Sequence, residues 1–446
     1  MRAWIIQSWL RLQSSYYFIP ALMGFGAVLL GLLTTIIDLR YQSEIRDLLG
    51  WFFASTVLSA RSVLTTIAAS MISVAAVTFS LTMVAVTTAA GQYGPRLIGN
   101  FMRDRANQVT LGTFVSTFLY CIVVLKSVSE EIAIDAQSTV GLTPSLSVLV
   151  ALLLTLISVG VLIFFVHHIP ETLNAGSMTG RLSTKLISQI ETGRYPNSSK
   201  IDATQCDRLG DPFDSDLTQT VRSTASGYIQ AISLRGLVEW SQENDMRVRL
   251  HHIPGEFIMM GDAIMDVIAD DTQKDFDRDL FSETIAPKLL TFLALGRERT
   301  EHQNLLFLGE ELVEIAARAL SPGVNDPFTA INCIHWFGDI CLAMMDAPNA
   351  PACLLDEQGT PRIWTRSVEF DALCSVLFGQ TRQYISADEN GARETLQVLY
   401  HLLNRSSDVT RPSLQRQIDA LHAAISESTM GRAQKDRLKG GPPYTI

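Results

Sequence analysis

Residues 62–90 read SVLTTIAASMISVAAVTFSLTMVAVTTAA, a run without one charged side chain. A helix that spans a bilayer needs about 20 consecutive apolar residues, because no water inside the hydrocarbon satisfies an exposed backbone group. This run is longer than that, so the chain is read as an integral membrane protein. Taking every third or fourth residue gives Thr66, Ser70, Ser73, Val77, Ser80, Val84, Thr87 and Gly91. These lie on one helix face, small and mostly hydroxylated. Against lipid such a face gains nothing over leucine. It suits close packing on another helix, where hydroxyls bond across, or the side of a hydrated path. No ionisable residue in the run marks an ion route. The candidate pore or helix-packing residues are therefore Thr66, Ser70, Ser73, Ser80 and Thr87.

Three further apolar runs flank it, at about 17–37, 108–125 and 146–168, which predicts a membrane domain of four helices over 1–172. The first run is too long for a signal-peptide core and no small-residue cleavage site follows it, so an uncleaved anchor is expected. The third ends on Lys126, which can snorkel to the interface, and the fourth on His167 and His168. Arg2, Arg11, Arg96, Arg103, Arg105, Arg181, Lys185 and Arg194 flank the spans on one side. Arg40, Arg46, Arg61 and Lys126 flank them on the other, diluted by acids that include Asp38 and Glu44. The positive-inside bias then puts both termini in the cytoplasm. Between the second and third runs, GQYGPRLIGNFMRDR (91–105) joins helix breakers to cations suited to anchoring at headgroups or to a lipid phosphate.

The remaining chain is polar and carries most of the acid behind the net charge of −10, which argues against a nucleic-acid partner. The six cysteines include no CxxC pair, so a thiolate zinc site is not expected, and their scatter fits unpaired thiols in a reducing compartment. The pattern predicts a connecting helix and linker over 173–216 and a small α/β barrel-like module over 217–272. A mainly helical soluble domain follows over 273–429, with helices at 283–295, 303–320, 328–345, 367–386 and 391–406, and a disordered tail over 430–446.

Candidate chemistry in this half is sparse. In ARALSPGVNDPFTAIN (317–332), Pro322 and Gly323 stop one helix while Asn325 or Asp326 caps the next, leaving a helix N-terminus that caps itself or receives an anion. Upstream, Arg297, Arg299, Glu310, Glu314 and Arg318 suggest an ion-pair network or a subunit interface. Adjacent His251 and His252 on a strand point to opposite faces and cannot chelate one metal, and His335 is expected to pair with Asp339. No cofactor motif and no assembled nucleophile or acid–base set is present, so no enzyme is expected.

Several strings together resemble a known family. They are the run from Met71 to Leu125, SGYIQAI (226–232), PGEFIMMGD (254–262), GRERT (296–300) and RALSPGVNDPFTAIN (318–332). The chain is similar over almost its whole length to bacterial predicted membrane proteins grouped as domain of unknown function 2254. Members typically read Gln-Asp where this chain has Gln303-Asn304. The resemblance implies a multi-span bacterial membrane protein with a soluble half, and it implies no activity. With the charge bias and the element pattern, a mainly helical α+β half in the cytoplasm below a bacterial inner membrane is expected. Taken together, the expectation is a homo-oligomer in the lipid bilayer. It is a channel-like or transport protein regulated by its soluble half, or else a non-transporting sensor or scaffold; its ion or small-molecule ligand is unknown.

Overall fold

The computed structural model describes residues 17–41, 57–94, 104–128, 144–191, 213–214, 217–269, 278–301, 303–347 and 353–438. Arg96, Arg103, Cys206, His302, most of the expected linker and the end of the tail lie outside the described residues. Two compact units meet in sequence at Asn174 and Ala175.

The first unit is a bundle of α1 (Phe18–Arg40), α2 (Val57–Tyr93), α3 (Arg105–Ser127) and α4 (Ser145–Leu173). Apolar runs of this length become helices because a helix satisfies its own backbone. Asp104 starts α3 by accepting a hydrogen bond from the Ala106 amide. Between α1 and α3 the contact is built on glycine. A β-carbon at Gly31 would stand 3.0 Å from Val123, and one at Gly112 would stand 2.6 Å from the sulfur of Met23 and 3.3 Å from the Pro20 backbone. Small residues let the backbones approach, which replaces the hydrophobic drive that lipid does not supply. Leu64, Met71, Phe114, Tyr120, Val124 and Ala151 fill the interior. Leu22, Leu33, Leu156 and Ile163 stay exposed, as lipid-facing residues do.

Among the described residues, five helices are long and apolar enough to cross a membrane. They are these four and one in the second unit, Pro327–Asp346, which is less apolar than the others.

The second unit mixes helices with two open sheets. It begins with α5 (Ala175–Glu191) and runs through β1 (Gln219–Arg222), β2 (Gly227–Ile232), α6 (Leu234–Glu243), β3 (Met246–Leu250), β4 (Phe257–Ile258) and β5 (Ala263–Ala269). Then come α7 (278–290), with a π-helical turn at Phe281–Ile285, β6 (Leu293–Gly296), α8 (Leu305–Ala319), α9 (Pro327–Asp346), β7 (Cys353–Leu355) and β8 (Pro361–Trp364). The chain closes with α10 (370–379), α11 (Arg382–Ile385), α12 (Glu389–Arg405), α13 (Arg411–Glu427) and α14 (Arg432–Leu438). One sheet has the order β1-β5-β3-β8-β7, antiparallel except where β3 meets β8, and the other has the order β4-β2-β6. Ile229, Leu237, Val248, Met265, Leu289 and Ile363 share the core that includes both sheets.

Several expectations need correction. The 217–272 segment is no barrel and does not stand alone, because β6, β7 and β8 arrive from later in the chain to complete its sheets. The helix expected at 283–295 stops at Leu290, and 293–296 becomes β6, drawn into antiparallel pairing with β2. The tail expected to be disordered contains α14, tied down by buried Leu438 and by a two-pronged Arg437–Glu389 ion pair at 2.7 and 2.9 Å. His335 reaches Glu394 at 3.4 Å rather than Asp339. Cysteines 121, 333, 341 and 374 are free and buried, but Cys353 is disulfide-bonded, so the thiols are not all unpaired.

Candidate functional site

The hydroxylated face of α2 points away from its own bundle. Thr66, Ser70, Ser73, Ser80 and Thr87 are all exposed, as are Val77, Val84 and Gly91 on the same stripe. What α2 buries against α3 and α4 is the neighbouring stripe of Leu64, Ala68, Met71, Ala75, Thr82 and Val86. Among the described residues, this face packs on no other helix of the bundle. In one copy its hydroxyls fall back on their own helix. Thr66 donates to the Ser62 carbonyl at 2.8 Å, Ser73 to Ala69 at 2.8 Å and Thr87 to Met83 at 2.9 Å.

The bundle does bury polar residues, more on α3 than on any other helix, and the sequence reading missed them. At one end, buried Asp38 of α1 sits on the N-terminus of α4. It accepts from the Leu146 amide at 3.0 Å, the Ser147 amide at 2.9 Å and the Ser147 hydroxyl at 2.6 Å. A carboxylate is favoured there by the free amides and the positive end of the helix dipole. Beside it the Tyr120 hydroxyl donates to the Ser147 carbonyl at 3.0 Å and bonds Thr34 at 2.9 Å. Midway along, Thr117 and Ser158 join α3 to α4 at 3.1 Å. At the other end His168 meets Asp104 at 2.9 Å. An acidic residue in an apolar helix was the available signal, since Asp38 near the end of its run demands a partner. Spacing could not reveal that the partner lies 108 residues away.

In the second unit three of the strings that carry the family resemblance, at 226–232, 254–262 and 296–300, converge. The Gln303 side chain, on a residue with φ of +57°, accepts from the Ile232 amide at 3.0 Å and donates to its carbonyl at 3.3 Å. Gln230 donates to the Glu298 carbonyl at 2.8 Å. The β2 and β6 backbones approach so closely that a β-carbon at Gly227 would stand 2.9 Å from the Gly296 oxygen. A cavity of about 50 Å³ lies beside Ile232, Pro254, Gln303 and Arg366. That volume holds only a few waters at ~10–15 Å³ each, so it is no organic-ligand site as it stands.

Arg299 binds Glu310, Arg318 binds Glu314 at 3.3 Å, and Arg297 is exposed. The expected anion site at the α9 N-terminus is filled by the chain itself. Asp326 accepts from the Thr329 amide at 3.2 Å and also from its hydroxyl, while Asn325 takes φ of +49° to make the turn. A second anion would meet that carboxylate. His251 pairs with Asp266 at 3.0 Å and His252 with Glu256 at 2.6 Å, two different acids. Burial raises the Asp266 carboxyl, but bonds from Arg249, His251 and Thr220 more than offset it and hold it below the usual range. At Asp356, burial is likewise outweighed by Arg362 and the Thr360 and Gln358 amides, which hold the carboxyl low. The hydrogen bond with Cys341, at 3.8 Å, and burial push the Cys374 thiol up, so it stays protonated at neutral pH.

Comparison with known proteins adds a family and no activity. The model of the predicted membrane protein family with domain of unknown function 2254 matches residues 13–401. An uncharacterized protein of Mycobacterium tuberculosis (strain ATCC 25618 / H37Rv) is 27% identical over 405 residues, 90% of this chain and 72% of that protein. An uncharacterized protein of Mycobacterium bovis is similar to the same extent. No solved structure matches the chain.

Proposed function

This chain belongs to the family of predicted membrane proteins with domain of unknown function 2254, and from that premise we propose that it is an oligomeric, channel-like or transport protein whose soluble unit regulates it. The observation that carries the proposal is the exposure of Thr66, Ser70, Ser73, Ser80 and Thr87 on one face of a 37-residue helix. In a lone copy these hydroxyls would face hydrocarbon to no advantage. Around a shared axis they would meet neighbouring copies or water, the surroundings that repay small polar side chains.

Four spans, α1 to α4, belong to this reading. Helix α9 is taken as a core helix, since Cys333, Ile334, Phe337 and Cys341 are buried in the second unit and His335 is bound to Glu394. No catalysis is included, because the sequence offers no assembled nucleophile or acid–base set. The bias of flanking Lys and Arg argues for cytoplasmic termini in a bacterial inner membrane. The bonded state of Cys353 argues the other way, as disulfides persist on the oxidising side. A reporter fused at the C-terminus, active only in one compartment, decides between them.

The test of function is a thiol-accessibility scan in native membranes. Single cysteines at Ser70, Ser73, Ser80 and Thr87, in a background lacking the native ones, should label with a water-soluble reagent, while cysteines on the buried stripe should not. Leucine at Ser73 and Ser80 together should abolish flux in liposomes. Unchanged flux sinks the transport reading.

A second reading, a sensor or scaffold without transport, is favoured by one feature. Phe257, Met259 and Met260 are exposed around the short edge strand β4 and form an apolar patch. This reading predicts no flux and loss of a bound partner on Met260→Lys.

A further inference from the structure

We propose that the outer groove between α3 and α4 is a binding site for an anionic phospholipid, with an acyl chain in the groove and the phosphate on Arg105. The groove is open along its outer side, offers about 420 Å³ and is lined by Val109, Ile157, Gly160, Val161 and Phe164, with Arg105 at its end. That volume is in the range of about 300–1,000 Å³ found for small-molecule sites. Its lining is apolar, and its helices are two of the apolar helices of a membrane protein, so lipid is the medium at its mouth.

Two features separate this groove from an ordinary gap between helices. Gly160 leaves its floor open, for a β-carbon there would meet nothing within 4 Å. Arg105 supplies a charge where the apolar surface ends. It is exposed, and among the described residues no carboxylate lies within ion-pair range of it.

The adjacent acid, Asp104, is already committed. One carboxylate oxygen accepts from the Ala106 amide at 3.0 Å and the other meets His168 at 2.9 Å. His168 in turn stacks on Phe164 with ring centres 5.2 Å apart, which fixes the groove wall beside the cation. The Arg105 guanidinium thus presents a planar fork that matches phosphate oxygens. A zwitterionic headgroup would add an ammonium next to that cation, whereas an anionic one leaves the pair unopposed. Charge complementarity therefore favours an anionic lipid over a neutral lipid or a second copy's apolar helix. The site is independent of transport and needs only a bilayer.

The test uses the full-length protein in mild detergent and native mass spectrometry with added phosphatidylglycerol or phosphatidylcholine. The protein should retain phosphatidylglycerol about fivefold better, the discrimination expected of one interfacial arginine. Arg105→Gln should bring that ratio to about one. Gly160→Leu should fill the groove and reduce retention of both lipids. Gly26→Leu, at another exposed glycine with open space around it, should leave both unchanged. Equal retention of the two lipids by the unaltered protein would overturn the assignment. So would a preference that survives Arg105→Gln, and this arm decides alone if Gly160→Leu does not fold. If Gly160→Leu breaks the oligomer while the lipid preference persists, the groove belongs to a neighbouring copy and the proposal fails.

Discussion

Replacing Asp38 by alanine tests whether a carboxylate at the end of α1 holds the start of α4. The change removes one acceptor group that serves three donors, the Leu146 and Ser147 amides and the Ser147 hydroxyl. Hydrogen bonds to a charged group contribute about 1.5–3 kcal/mol each in water-soluble proteins. Within membranes, side-chain bonds between helices average only about 0.6 kcal/mol, because the unfolded reference also finds partners. The charge at the helix N-terminus adds up to about 2 kcal/mol when partly buried. Three bonds at the membrane value plus that electrostatic contribution give about 3–4 kcal/mol for Asp38→Ala. Asp38→Asn keeps the shape and one acceptor and should cost about half as much. Ser147→Ala, which loses the 2.6 Å hydroxyl bond alone, should cost about 1 kcal/mol. The assay is reversible unfolding of the purified protein in mixed micelles, followed by tryptophan fluorescence and circular dichroism. Asp38→Ala within about 0.5 kcal/mol of the unaltered protein would refute the reasoning, since changes that small are what surface positions show.

Other positions give further expectations. Gly112→Val should separate α1 from α3, since even a β-carbon meets Met23 and the Pro20 backbone, and should lower thermal stability by about 1–3 kcal/mol. Arg362→Met leaves buried Asp356 without its cation and should cost about 3–5 kcal/mol, read from the denaturant midpoint. Gln303→Leu removes both bonds to the Ile232 backbone and should cost about 1–3 kcal/mol. Asp266 and Asp356 have depressed folded pKa values. The unfolded chain therefore takes up protons first as pH falls through the ordinary carboxylate value of about 3.9. Their contribution is complete well above that pH and is lost below it, so denaturant midpoints should fall between about pH 5 and pH 3. Asp356→Asn should flatten that decline.

How much was legible depends on whether a feature is local. The apolar runs and the cap at Asp326 use residues within one or two turns, and local spacing locates them. Strand β6 was misread as helix because Leu293, Ala294 and Leu295 favour a helix by themselves, and only pairing with β2 overrides that preference. The pairs Asp38–Ser147 and His335–Glu394 join residues 109 and 59 positions apart, beyond what periodicity can report. The anion site read into SPGVNDP was a local feature too, but whether Asp326 would turn inward and fill it depended on a rotamer.

Helix α2 marks the division between sequence and tertiary structure. Its sequence by itself determined that the chain carries a long apolar helix and that Thr66, Ser70, Ser73, Ser80 and Thr87 share one face, because about 3.6 residues per turn is local geometry. The same arithmetic gives a second stripe through Leu64, Ala68, Met71, Ala75 and Thr82, also largely small. Nothing in the spacing chooses between them. The tertiary structure chose, burying the second stripe against α3 and α4 and leaving the hydroxyls outside. The physical reason is that a helix's periodicity defines its faces, while what each face meets is settled by the shape of the neighbours.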